Sequence, residues 1–388
     1  MKSSFNSLVF FAVTLMTAAG FTGCRSHQPE YIYAAPKPLK DGLQLSTLAK
    51  EQMDTMPVVT LTKLILADSF PNIRSLLIAR NNKLVYENYF PGKAFLTGQE
   101  IEDFIKGGTD DLVYCASISM TVTGACIGIA IQLGFIKSID EPIFTYFPSY
   151  ANHFDTTKRK ITIRHLLTMT SGLDWNEYVP EDNPENSLTQ MNRSMDPIAF
   201  IISRHMKAPP GANYNYNRAN AQLLEQIILK ATGKKLDQFA QQYLFSPLGI
   251  QNYSWLHLRS GMVAGAWGLR LSPRDLVKLG ILYMNNGKWN NTQILDSSFT
   301  TKAGSPQVAR GGNDKTQQGY GYLLFTYQLS KDGILTDIAE AWGANNLTIF
   351  MCNRLHLLVV FTPATQSSKD YKNNYFTATG NYIFASIH

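Results

Sequence analysis

The sequence predicts an α/β (α+β) domain whose sheet is assembled from both ends of the chain, with a mainly helical domain inserted between the halves. Three observations carry this. Residues 73–90, "IRSLLIARNNKLVYENYF", are two β-rich runs around Asn81-Asn82. Residues 117–289 hold a series of apolar-periodic segments with helix caps. After about residue 318, β-branched and aromatic runs return. Strands, then helices, then strands describe one sheet with an insertion. The 388 residues are 45% hydrophobic, enough for a large core. Aromatics at 12% and charges at 16% fit an ordered globular chain. The net charge of +6 is spread out, and no lysine/arginine block marks a nucleic-acid face.

Taken in order, the chain begins with Lys2, an apolar run and "FTGC". A charged start, an apolar core and small residues before a cut form a secretory signal over 1–23. The "FTGC" end resembles the lipobox of bacterial lipoproteins. That resemblance implies cleavage before Cys24, lipid on its sulfur, and a place in a bacterial cell envelope, periplasmic or surface-facing. Residues 24–55 start with the proline-bearing "RSHQPEYIYAAPKPLKDG" and read as a tether. The sheet domain is expected over 56–115 and 290–388, and the helical insertion over 116–289.

Within the insertion, 117–135 is an apolar helix with Ser117 at its head. A second helix starts near Thr162 and is expected to end at Gly172. Asp196-Pro197 opens a third, "NAQLLEQIILKATGK" closes at Gly233, and Ser272-Pro273 caps another. "GYGYLLFTYQL", "ILTDIAEAWG" and "LTIFMCNRLHLLVVFTPA" are strand-rich, and "NNYFTATGNYIFASIH" is expected as a closing helix. Besides Cys24, Cys115, Cys126 and Cys352 form an odd set, which argues for buried inert thiols and against a disulfide framework. Histidines show no ligand spacing, so no metal and no cofactor are expected.

Three longer stretches carry a family resemblance: "ITIRHLLTMTSGLDWNE", "PGANYNYNRANAQLLEQIILKATGK" and "GLRLSPRDLVKLGILYMNNGKW". With them, the chain from roughly residue 70 onward resembles the serine β-lactamase and penicillin-binding-protein-like hydrolases. The likeness is to the class C-like branch, which includes esterases and 6-aminohexanoate-dimer hydrolases. The resemblance implies an antiparallel sheet flanked by helices, an inserted helical domain and a cleft between them.

It also implies a three-part catalytic apparatus. A nucleophilic serine heads a helix, with a lysine one turn on; here these places hold Ser117 and Met120, and a thioether takes up no proton. A Tyr-x-Asn loop supplies a proton shuttle; here it reads Tyr216-Asn217-Arg218. A strand ends in Lys/His-x-Gly; here it ends Ala341-Trp342-Gly343. Backbone N–H groups of Ser117 and Ala344 correspond to the oxyanion hole. Trp175, Trp342 and Gly343 are expected along the cleft.

The departures fall on the proton-transferring side chains while the scaffold wording is kept. The resemblance therefore implies a hydrolase fold without standard catalysis, binding a peptide, cell-wall fragment or partner. The alternative is an active esterase or amidase with Ser117 as nucleophile and a small ester or amide substrate. In it Arg218 lowers the Tyr216 phenol so that a tyrosinate acts as base. The structural readings stand beside these: Ser117 as a helix N-cap, Tyr216 as a packed loop residue, Arg218 as a surface ion-pair partner, Trp175 as a loop anchor, Trp342 as a cleft plug.

Overall fold

The computed structural model describes residues 31–90, 94–96, 99–101, 108–311, 318–364 and 372–388. The signal segment and Cys24 lie outside the described residues. The main sheet has eight strands: β1 Ile73–Arg80, β2 Lys83–Tyr89, β3 Val308–Ala309, β4 Gly319–Tyr320, β5 Phe325–Lys331, β6 Ile334–Trp342, β7 Thr348–Cys352 and β8 Leu357–Pro363. Their spatial order is β3-β4-β5-β6-β7-β8-β1-β2, and every pairing is antiparallel. The first two strands come from before the helical region and pair with the last one, Leu77 opposite Val360.

The β1–β2 turn is made by Asn81 (φ 51°) and Asn82 (φ 63°), with Arg80 opposite Lys83. Two consecutive left-handed residues twist in the same sense as the strands, which is why asparagine suits both places. In β7, side chains alternate between two covered faces. Phe350 meets Phe384 of the C-terminal tail at 5.9 Å, while Ile349 lies under the helix of Gly280, where an added side chain would collide with Ile349 and Leu358. Helices on both faces explain why β8 is buried almost throughout.

The helices are α1 Thr55–Leu66, α2 Ile118–Gln132, α3 Ile163–Leu167, α4 Ser187–Arg193, α5 Pro197–Ser203, α6 Arg218–Thr232, α7 Leu236–Ala240, α8 Pro273–Met284, α9 Ser297–Ala303 and α10 Lys372–Ala378. Capping follows the sequence. Asp196 accepts from the N–H of Ala199 (2.9 Å), Asn217 from that of Ala219 (2.9 Å), and Gly233 (φ 71°) closes α6. The tail expected as one helix is α10, continued by tighter and wider turns to Ser386.

Three expectations are corrected. The helix expected to reach Gly172 stops at Leu167, because Met169 is left-handed (φ 57°). Its sulfur there accepts from the Asn217 N–H (3.4 Å) and the Asn220 amide (3.5 Å). The helical layer does not extend to 289, because α8 packs on the sheet. Most of the expected tether is docked: Tyr33 to His388 form one compact unit. The Tyr33 hydroxyl donates to the Val85 carbonyl (2.7 Å), Leu43 and Leu48 are buried, and Ser46 and Gln44 bond to Leu84 along the edge strand β2. Covering an edge strand in this way removes a row of unpaired backbone groups.

No helix among the described residues is long and apolar enough to cross a membrane.

Candidate active site

The short strand Val113–Tyr114 delivers the chain to the head of α2, held by the Cys115 N–H to the Leu269 carbonyl (2.8 Å). Ala116 then takes a left-handed conformation, φ 45°, a strained place for a residue with a β-carbon. Ser119 pins this turn: its hydroxyl donates to the Ala116 carbonyl (2.7 Å) and accepts from the Leu269 N–H (3.2 Å). Ser117, next along, occupies the N-cap place but makes no side-chain cap bond. Its hydroxyl instead lies close enough to the Tyr216 phenol to pull its pKa down. The cap role therefore does not account for Ser117; Ser119 holds the local structure, and Ser117 is aimed at the tyrosine.

One turn along α2, Met120 is 2% exposed and belongs to the central core. The helix is buried along nearly its whole length, and at this place it holds a thioether, which takes up no proton. Tyr216 approaches from the loop before α6. Its ring stacks on Phe325 (6.2 Å, 18°). Phe325 in turn meets Tyr320 edge-on (5.1 Å), Trp342 edge-on (5.8 Å) and the Arg310 guanidinium (4.8 Å).

Burial pushes the Tyr216 phenol well above its ordinary range, with Glu177 and Tyr178 adding to the rise; Arg218 and the Ser117 hydroxyl pull it down and are outweighed. This direction runs against the tyrosinate reading: the arginine is present, and burial outweighs it. The arginine also has a partner of its own. Arg218 Nε donates to Glu177 Oε1 (2.9 Å) and the Arg218 N–H to Glu177 Oε2 (3.1 Å). The Trp175 indole donates to the same carboxylate (2.7 Å). Burial opposes the charge on Arg218, and Glu177 and Tyr216 override it, so the guanidinium stays charged.

Trp175 is buried, 3% exposed, and packs edge-on against Phe200. It anchors the loop and orients Glu177; it does not line the cleft. Trp342 sits on the sheet face of Glu340 and Phe350, lining a hollow of about 10 Å³ with Tyr375. That is room for about one water at most, so Trp342 contributes to the site through Phe325 and not as the wall of a ligand pocket there. Gly343 passes so close to the head of α2 that an added Cβ would lie 2.8 Å from the Cys115 carbonyl oxygen. This sets the strand end against the Cys115–Ala116 turn that precedes Ser117. Among the described residues, neither the Ser117 nor the Ala344 backbone N–H finds an acceptor.

The structure thus brings Ser117, Tyr216, Arg218 and the 342–344 strand end together. It adds Glu177, Phe325 and Arg310, which sequence reasoning missed. Glu177 stood in the quoted "LDWNE", but nothing in that wording points to a partner 41 residues on. Among the described residues no acidic, histidine or cysteine cluster suited to a metal occurs. Cys115 and Cys126 are buried, and burial pushes both thiols well above their ordinary range; it pushes Cys352 up to about 11.

Comparison with known proteins agrees with this fold. The beta-lactamase family model matches residues 74–374. A beta-lactamase of Yersinia enterocolitica is 22% identical over 368 residues, spanning 87% of this chain and 89% of its own. Among solved structures, an octameric penicillin-binding protein homologue from Pyrococcus abyssi superposes with a TM-score of 0.64 at 19% identity, covering 83% of this chain and 76% of that one. A penicillin binding protein from Bacillus halodurans gives 0.58 at 16%, covering 82% and 97%.

Proposed function

The chain belongs to the beta-lactamase family, and from that premise we propose that its serine-hydrolase cleft now binds a ligand or partner without standard Ser-Lys-Tyr turnover. The observation that carries this is the pair of bases that are missing. The lysine place is Met120, sealed in the core, and the one remaining candidate, Tyr216, is held protonated by burial. General-base assistance contributes roughly 10²–10⁴ in rate, and its loss is not made up by a guanidinium that stays charged. A peptide or cell-wall fragment is the ligand class that the resemblance suggests.

A second reading is a slow esterase or amidase. It is favoured by the closeness of Ser117 to the Tyr216 phenol and by the two backbone N–H groups at Ser117 and Ala344 that find no acceptor among the described residues, which suit a developing oxyanion.

Labelling with a fluorophosphonate probe separates the readings. Wild type, Ser117→Ala and Met120→Lys are treated, and adducts are located by mass spectrometry. The binding reading expects no adduct on wild type and a gain at Ser117 in Met120→Lys. An adduct on wild type that vanishes in Ser117→Ala would establish the enzyme instead. Met120→Lys places an amine in the core, so each variant is checked by thermal melting.

The envelope location is proposed on the N-terminal sequence, with lipid on Cys24 holding the domain to a bacterial membrane. The mass of the mature N-terminal peptide, and its change in Cys24→Ser, tests this. An unmodified Cys24 would refute it.

A further inference from the structure

The cleft has lost one cation and gained a different one, and the exchange alters what it can hold. Arg218 spends its Nε and backbone N–H on Glu177. Its two terminal amino groups find no acceptor among the described residues, and its side chain is 28% exposed while Glu177 is only 3% exposed. The free end of the fork is therefore open to a ligand, on a side chain close enough to act on Tyr216.

Two further arginines stand around the same tyrosines. Arg270 lies over the Tyr114 ring at 5.8 Å, and Tyr114 feels both Arg218 and Arg270. Arg310 lies over Phe325 at 4.8 Å, and its Nε donates to the Gly319 carbonyl (3.0 Å). The exposed Tyr178 feels both Arg218 and Arg310. Among the described residues, neither Arg270 nor Arg310 has a carboxylate partner. Three guanidinium groups thus stand around the tyrosines at the head of α2, against the buried Glu177 and against Glu181, which also acts on Tyr114. A partly buried site with cations in excess concentrates anions.

We propose that this cleft is an anion site in which the terminal amino groups of Arg218 grip a carboxylate of the ligand, with Arg270 and Arg310 supplying the surrounding field. A planar fork with two parallel N–H donors matches a planar carboxylate. With the Nε edge already taken by Glu177, the ligand meets the fork end-on. The site so described discriminates against neutral esters and amides, whatever their shape. The inference rests on the binding reading above.

The test is equilibrium binding by calorimetry, using hippurate, its neutral amide and phenyl phosphate. Each is titrated into the mature wild-type protein, Arg218→Asn and Arg310→Gln, at low and high salt. Hippurate is expected to bind at least tenfold more tightly than the amide, and Arg218→Asn is expected to abolish that preference. Arg310→Gln leaves the Glu177 pair intact, so it keeps the test valid if Arg218→Asn fails to fold. It is expected to weaken hippurate several-fold and to reduce the salt dependence. Equal binding of hippurate and amide, no hippurate binding at millimolar concentration, or a preference unchanged in both variants would overturn the proposal. Tighter binding of phenyl phosphate than of hippurate would overturn the carboxylate assignment. Glycine released from hippurate would count against the binding-only reading and leave the anion site standing, so the two can fail separately.

Discussion

Three side chains decide the chemistry of the cleft: Tyr216, Arg218 and Glu177. Glu177 is 3% exposed and holds three donors, the Arg218 Nε, the Arg218 N–H and the Trp175 indole. Glu177→Gln keeps an acceptor for some of these but removes the charge that offsets Arg218. The guanidinium is partly exposed, so the loss is smaller than for a fully buried pair, on the order of 1–3 kcal/mol. The same change leaves Arg218 free to act on the phenol, and the Tyr216 pKa is expected to fall. Spectroscopic titration of the tyrosines, with Tyr216→Phe as the blank, measures it; an unmoved titration would show that Arg218 does not act on Tyr216. The frame of the site was legible in the sequence, because Ser117, Met120, Tyr216 and Arg218 lie in segments whose wording fixes their places. The protonation of Tyr216 and Arg218 was not, because it depends on burial and on Glu177, which comes close only through the fold. Trp175 shows the same limit: an aromatic in a loop reads equally as rim or anchor until its burial is known.

At the scale of elements, the helices that the sequence marked by caps are the ones found, and the errors lie where the backbone turns by tertiary contact. Residues 162–172 have an unbroken helical pattern, yet α3 ends early because the Met169 sulfur serves two asparagines of the α6 start. Local propensity carries no signal for that. Helix α6 holds a second feature that periodicity conceals. Glu225 is buried against the loop at Val263–Gly265, with Gln222 and Gln226 donating to its carboxyl (2.9 and 3.0 Å). Burial, aided by Asp237, pushes its pKa up from 4.5 to about 7, against the hydrogen bonds from Gln226, Val263 and Gln222.

The folded state therefore holds this proton more tightly than the unfolded chain. The resulting stability is fully present below pH 4.5 and is lost as pH rises towards about 7. A shift of that size is worth at most about 3 kcal/mol. Urea unfolding from pH 5 to pH 8 is expected to show the decline, and Glu225→Gln is expected to flatten it. A wild-type curve that rises over this range would contradict the assignment of the proton to Glu225.

For the whole molecule, the sheet built from both chain ends was legible because β-rich runs flank a helical middle. The docking of residues 33–53 was not, because that segment has no periodicity and its partners are far along the chain. Its hub is Arg274, 2% exposed at the first turn of α8. This guanidinium binds Glu87 of β2 (2.7 and 2.5 Å), Asp41 (3.0 Å) and the Lys37 carbonyl (2.7 Å). One side chain thus ties the N-terminal segment, the edge strand and a helix on the sheet. The two carboxylates hold the arginine charged, with a pKa above its usual value even though burial alone would lower it.

Removing the arginine leaves Glu87, whose side chain is 6% exposed, without its partner. Breaking a buried pair by deleting one member costs about 3–5 kcal/mol, so Arg274→Ala is expected to lower the melting temperature sharply. Asp41 is 18% exposed, and Asp41→Asn is expected to cost about 1 kcal/mol or less, since water and the amide oxygen replace part of what is lost. If the segment docks as described, Arg274→Ala will also expose residues 33–53 to protease before the domain unfolds, whereas Asp41→Asn will not. Equal resistance of this segment in wild type and Arg274→Ala would show that its apolar contacts, Leu43 and Leu48 chief among them, hold it without the ionic hub.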